Sequence, residues 1–125
     1  MGALFGLLML VLLFPPGMAQ AQDLKASWYS LASLKEEGTY KTSQGIMANG
    51  RRFKDEDYTA ASWDYKIGQK VKVINQENGK AVIVEITDRT ARRFKGKRID
   101  LSREAFKVLT PLSKGIVKVS VERVD

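Results

Sequence analysis

The stretch KVKVINQENGKAVIVEITD, residues 70–88, decides the fold. Lysine alternates with valine from Lys70 towards Ile74, and Val82, Val84 and Ile86 resume the same period of two after a polar interval. That period belongs to a strand with one face in a core, because successive side chains of an extended chain point to opposite sides. Between the two runs, Asn75 to Gly79 ends in Asn78-Gly79, a pair suited to positive φ in a hairpin turn. The stretch therefore reads as two antiparallel strands joined by a tight turn.

The same period recurs further out. Val117, Val119 and Val121 alternate with Lys118, Ser120 and Glu122, and Ala26 to Ser30 and Tyr58 to Ala61 are weaker strand candidates. After the first segment, only Ser102 to Leu109 reads as a helix. There Leu101, Ala105, Phe106 and Leu109 share a face behind an Asp100 or Ser102 cap, and Thr110-Pro111 ends the run. No internal repeat is present, and the longest polar, Gly-containing interval is Lys35 to Gly50. A small β-barrel with one or two short helices accommodates these elements.

The N-terminus is of another kind. Met1 to Phe14 carry no charge and are almost wholly apolar, and Pro15, Pro16 and Gly17 break the run. Ala19-Gln20-Ala21 then offers the small-x-small pattern a signal peptidase admits, so residues 1–21 are expected to be a signal peptide and 22–125 one domain. The apolar run is shorter than the ~20 residues of a membrane-spanning helix. Its n-region lacks Lys and Arg, which leaves a retained membrane anchor as the alternative to cleavage.

Composition narrows the chemistry. The chain has no cysteine, hence no disulfide, no thiol catalysis and no site for a lipid anchor, and no histidine, the commonest general base and zinc ligand. No cofactor and no metal are expected, and a monomer is. The formal charge of +7 suits a polyanionic partner or simple solubility. In an exported chain that partner is an envelope component and not nucleic acid.

Among the remaining candidates, Asp88 ends the apolar face of Val82, Val84 and Ile86 while Thr87 and Arg89 point to the opposite side. A carboxyl at an apolar rim loses hydration and becomes a usable general acid; a turn cap is the competing role for the same residue. Arg89, Arg92, Arg93, Lys95, Lys97 and Arg98 crowd around Phe94, either to grip an anionic polymer or as a solvated loop. Trp28, Tyr29, Tyr58, Trp63 and Tyr65 are aromatics able to stack on sugar or to pack in the core.

Four segments together resemble the rare lipoprotein A (RlpA)-like domain, a six-stranded double-psi β-barrel also similar to expansin and barwin domains. They are Ala26-Ser27-Trp28-Tyr29; Met47-Ala48-Asn49-Gly50-Arg51-Arg52-Phe53; Thr59-Ala60-Ala61 with Gly68 to Val73; and Val84 to Arg89 followed by Ile99-Asp100-Leu101-Ser102. The resemblance implies an endolytic peptidoglycan lytic transglycosylase that prefers glycan strands without stem peptides and leaves 1,6-anhydro-muramic acid ends. It places the family's catalytic Asp on Asp88. Two other positions depart: the expected Glu is Arg51 and the expected His is Ser62. The substrate-binding set is then Ser62, Arg51, Asp64, Trp28, Tyr29 and Arg89, with Asp64 a second carboxylate or a turn residue and Asp100 a helix cap. The resemblance implies a periplasmic or cell-wall location. A non-catalytic, expansin-like glycan-binding module is the alternative reading, and a barrel that inhibits or binds a partner protein is a third.

Overall fold

The computed structural model describes residues 21–38 and 44–125, so the expected signal peptide lies outside the described residues except for Ala21. Six strands form a closed barrel: β1 (Gln22–Tyr29), β2 (Thr59–Ala61), β3 (Lys70–Asn75), β4 (Ala81–Asp88), β5 (Arg98–Ser102) and β6 (Val117–Val124). Around the barrel the order is β1, β5, β2, β4, β3, β6. The pairs β1–β5 and β2–β4 are parallel and the others antiparallel. Among the described residues two α-helices accompany them, α1 (Leu31–Glu36) and α2 (Arg103–Leu109). This is the mainly β, six-stranded double-psi barrel with two short helices that the sequence leads one to expect.

The β3–β4 hairpin forms as read, with Val71 opposite Val84 and Val73 opposite Val82. Its turn differs in one respect: Gly79 takes positive φ (75°), whereas Asn78 does not. Asn78 is instead engaged through its side chain, whose amide donates to the Leu109 carbonyl, as does that of buried Asn75. The turn thereby satisfies a carbonyl that the end of α2 leaves without a helical partner.

Two elements escaped the sequence reading. β5 is only five residues long, and α1 begins with a capping box in which Ser30 and Ser33 exchange side-chain to backbone hydrogen bonds. The core is filled from every strand and from α2, with Val71, Val73, Ile86, Ile99, Leu101, Phe106, Leu109, Val119 and Val121 fully buried. A smaller cluster of Tyr29, Met47, Phe53 and Ala61 lies apart, with Leu31 and Leu34 packed on it. No helix among the described residues is long and apolar enough to cross a membrane.

In β4 strict alternation fails at one place. In the β2–β4 ladder Ala60 faces Ile86 but Ala61 faces Asp88, so Thr87 is an extra residue in a bulge, and Ile86 and Thr87 are both buried. Bulges re-aim the side chains that follow them. Asp88 is therefore set by the bulge and not by continuation of the Val82–Ile86 face.

Candidate functional site

A groove of about 690 Å³ opens where the ends of β1 and β4 meet β5. Its floor follows from the ladder: Ala61 of β2 is registered with Asp88 on one side and Asp100 on the other. Two neighbouring strand spacings put these aspartates roughly 10 Å apart at Cα. Ala61, with a single methyl group, leaves a slot between them.

Asp88 is half-buried, and its Oδ1 accepts hydrogen bonds from the backbone N–H groups of Ala48 (3.0 Å) and Arg89 (2.9 Å). Its carbonyl accepts from the Ser62 N–H at 3.0 Å. The carboxyl thus holds the loop at Ala48 as well as the turn after β4, and Oδ2 is the oxygen left for a ligand. Asp100 is also half-buried; Ser27, its partner in the β1–β5 ladder, donates from Oγ to Oδ1 at 2.9 Å. Burial pushes the Asp100 carboxyl up to about 6, against the lowering effects of the Ser27 hydrogen bond and the Arg98 charge. Glu37 and Asp88 add to the rise.

Tyr29 stands beside the pair. Its ring is stacked on Phe53 with centroids 4.5 Å apart, and its hydroxyl is buried without a hydrogen-bond partner. Burial first, then the charges of Asp88 and Asp100, hold that hydroxyl far above the usual phenol range. It remains a neutral donor facing two carboxyl groups, and an orphaned buried donor of this kind suits a ligand that completes it.

Of the residues expected to form a site, the groove brings together Asp88, Trp28, Tyr29 and Arg89. Trp28 is half-buried and donates from Nε1 to the Leu112 carbonyl. Arg51, Ser62 and Asp64 lie outside the groove lining. Arg51 is exposed and pairs with Glu85 at 3.2 Å. Ser62 is fully buried, its Oγ accepting from the Asp64 N–H. Asp64 accepts the Gly96 N–H with both carboxylate oxygens, at 2.8 and 3.0 Å, and so anchors the tip of the basic loop. Asp100 does not cap α2: Ser102 does, accepting from the Ala105 N–H. The signal for Asp100 was its place between Ile99 and Leu101, a carboxyl at an odd step of an apolar strand.

The sequence model of the lytic transglycolase family matches residues 21–121. The chain belongs to that family. This lytic transglycolase domain is 34% identical over 102 residues to the probable endolytic peptidoglycan transglycosylase RlpA of a Nostoc species, covering 82% of this chain and 27% of that protein. It is 37% identical over 98 residues to the endolytic peptidoglycan transglycosylase RlpA of Rickettsia felis, covering 78% and 40% respectively. The chain therefore spans well under half the length of these relatives. Among solved structures, a Streptomyces papain inhibitor aligns with TM-score 0.65 at 22% identity, over 87% of this chain and 98% of that one. An expansin of Clavibacter michiganensis aligns with TM-score 0.60 at 23% identity, over 84% and 50%. At such identities the structural likeness speaks for the barrel alone.

Proposed function

We propose that this protein is a lytic transglycosylase that cleaves peptidoglycan glycan strands and leaves 1,6-anhydro-muramic acid ends. The observation that carries the reading is the pair of carboxyl groups, Asp88 and Asp100, flanking Ala61 in one groove. Cleavage of a glycosidic bond needs a proton delivered to the bridging oxygen as the C1–O bond breaks, and a base for the incoming hydroxyl. Asp100, held up to about 6, supplies the proton. Asp88 takes the proton of the muramic acid C6 hydroxyl as that oxygen closes onto C1. Proton exchange between the two carboxyl groups resets the site, so no water is consumed. The catalytic role that the resemblance gives to Asp88 alone is in this reading divided between two residues. Tyr29 donates its hydrogen bond to a sugar oxygen in the slot.

The reading includes export. Residues 1–21 act as a cleavable signal peptide, residues 22–125 are released as the barrel, and the absence of cysteine leaves no lipid anchor in the periplasm or cell wall. The relatives named as peptidoglycan transglycosylases support this substrate. The test is cleavage of peptide-free glycan strands in ¹⁸O-labelled water. Anhydro ends without ¹⁸O are expected; ¹⁸O-bearing reducing ends would mean hydrolysis, and strand binding without any new ends would favour the expansin-like module.

A further inference from the structure

One wall of the groove is built from arginines, of which the catalytic reading uses only the charge of Arg98 on Asp100. Arg93 and Arg98 line it together with Phe94 and Arg89. Their guanidinium carbons lie 4.6 and 4.1 Å from the Phe94 ring centroid. Arg89 and Arg92 are held in the same way, each 5.1 Å from the Trp63 ring centroid. Arg89 is further fixed by donating from one nitrogen to the Ser62 and Tyr65 carbonyls, both at 2.7 Å. A guanidinium stacked on a ring keeps its N–H edge free in the plane of the group, the geometry that matches a carboxylate in a two-pronged hydrogen bond. None of the six cations from Arg89 to Arg98 forms an ion pair among the described residues, whereas Arg51 and Arg103 elsewhere do. The wall is pre-oriented, and although Glu37, Asp88 and Asp100 line the same groove, none of them is ion-paired with it among the described residues.

We infer that this wall, Arg93 and Arg98 above all, binds carboxylates carried by the sugar strand itself, so that the groove selects an anionic glycan. In the substrate proposed above, the lactyl group of muramic acid ends in a free carboxylate when no peptide is attached, and in a neutral amide when one is. Arginines beside the cleavage slot then read the state of that group. A preference for peptide-free strands, which the resemblance implies, then follows from charge. The inference rests on the proposed function for the identity of the sugar, but the binding it predicts does not depend on turnover.

The test is equilibrium binding of the full chain carrying Asp88→Asn, whose amide oxygen still accepts the Ala48 and Arg89 N–H groups. Three strands are compared: peptide-free strands, the same strands with their carboxylates converted to methylamides by carbodiimide coupling, and strands with stem peptides in place. The free-acid strand should bind on the order of tenfold more tightly than the methylamide, with the advantage shrinking as salt is raised. Adding Arg93→Gln and Arg98→Gln should remove the difference while the thermal melt of the protein persists. Peptide-bearing strands should bind like the methylamide; binding like the free acid would assign the recognised carboxylate to the peptide and overturn the inference. Equal binding of acid and methylamide, or no binding of either, would also overturn it, and the comparison needs no arginine variant. Cleavage of the same strands by the unsubstituted chain is read in parallel. Discrimination without cleavage would sink only the enzymatic reading, and cleavage without discrimination only this one.

Discussion

Asp100 is the residue to which the proposed reaction assigns the proton, and its environment makes a signed prediction. Its folded pKa, about 6, lies above the ordinary value of 3.8. Below pH 3.8 the carboxyl is protonated in both folded and unfolded chains and favours neither. Between 3.8 and 6 the folded chain holds the proton more tightly, so stability falls as pH rises, by at most about 3 kcal/mol. Asp100→Asn escapes that loss: thermal melts should show the variant more stable than the parent at pH 7 and equal to it near pH 3.5. If Asp100 is the acid, the rate of strand cleavage should also drop about tenfold per pH unit above 6, where the carboxyl, held up by burial against the effects of Ser27 and Arg98 and further raised by Glu37 and Asp88, loses its proton. A flat profile between pH 5 and 8 would contradict that role. At this scale the sequence is half legible. Asp88 stands out because it ends an apolar strand. Asp100 is hidden because an Asp just before a helix looks like a cap, and only the partner Ser27, 73 residues away, shows what the side chain does.

Elements place those residues, and the bulge in β4 is the decisive one. Thr87 is the extra residue, buried with its hydroxyl lacking a partner. Replacing it by the isosteric valine removes an unsatisfied polar group, and Thr87→Val should stabilise the protein by about 1 kcal/mol in urea titration without moving the backbone of Asp88. Destabilisation would mean that the hydroxyl is engaged. Ser102 makes the opposite case: fully buried, it donates to the Asp57 carbonyl at 2.6 Å and caps α2. Ser102→Ala should cost about 1–3 kcal/mol. A change under about half a kcal/mol in the same titration would refute the double role. The β3–β4 hairpin was readable because alternation and the Asn-Gly turn are local signals. The bulge was not, because it arises from a parallel pairing with three-residue β2, which β3 separates from β4 along the chain, and leaves no trace in the period of either strand.

Closure of the barrel brings distant segments to one end. β1 joins β6 on one side and β5 on the other, so Tyr29, Asp88 and the arginines around Phe94 meet although the chain separates them by up to 69 residues. No periodicity encodes that order; it was foreseen through the resemblance carried by four short segments. The same resemblance drew Arg51 and Ser62 into the expected site, and the structure sets one in a surface ion pair and the other in the interior. Of the expected set, Asp88, Trp28, Tyr29 and Arg89 line the groove, and Asp100, which the sequence suggested as a helix cap, lines it with them. The net charge of +7 acquires a local meaning there, since part of it lines the groove in an oriented form. The central claim is tested most directly by incubating the protein with peptide-free peptidoglycan strands and identifying the new ends by mass spectrometry. The account predicts 1,6-anhydro-muramoyl ends from the unsubstituted chain and none from Asp88→Asn or Asp100→Asn, both still folded. No anhydro ends at any protein concentration, or undiminished turnover by the two variants, would contradict it.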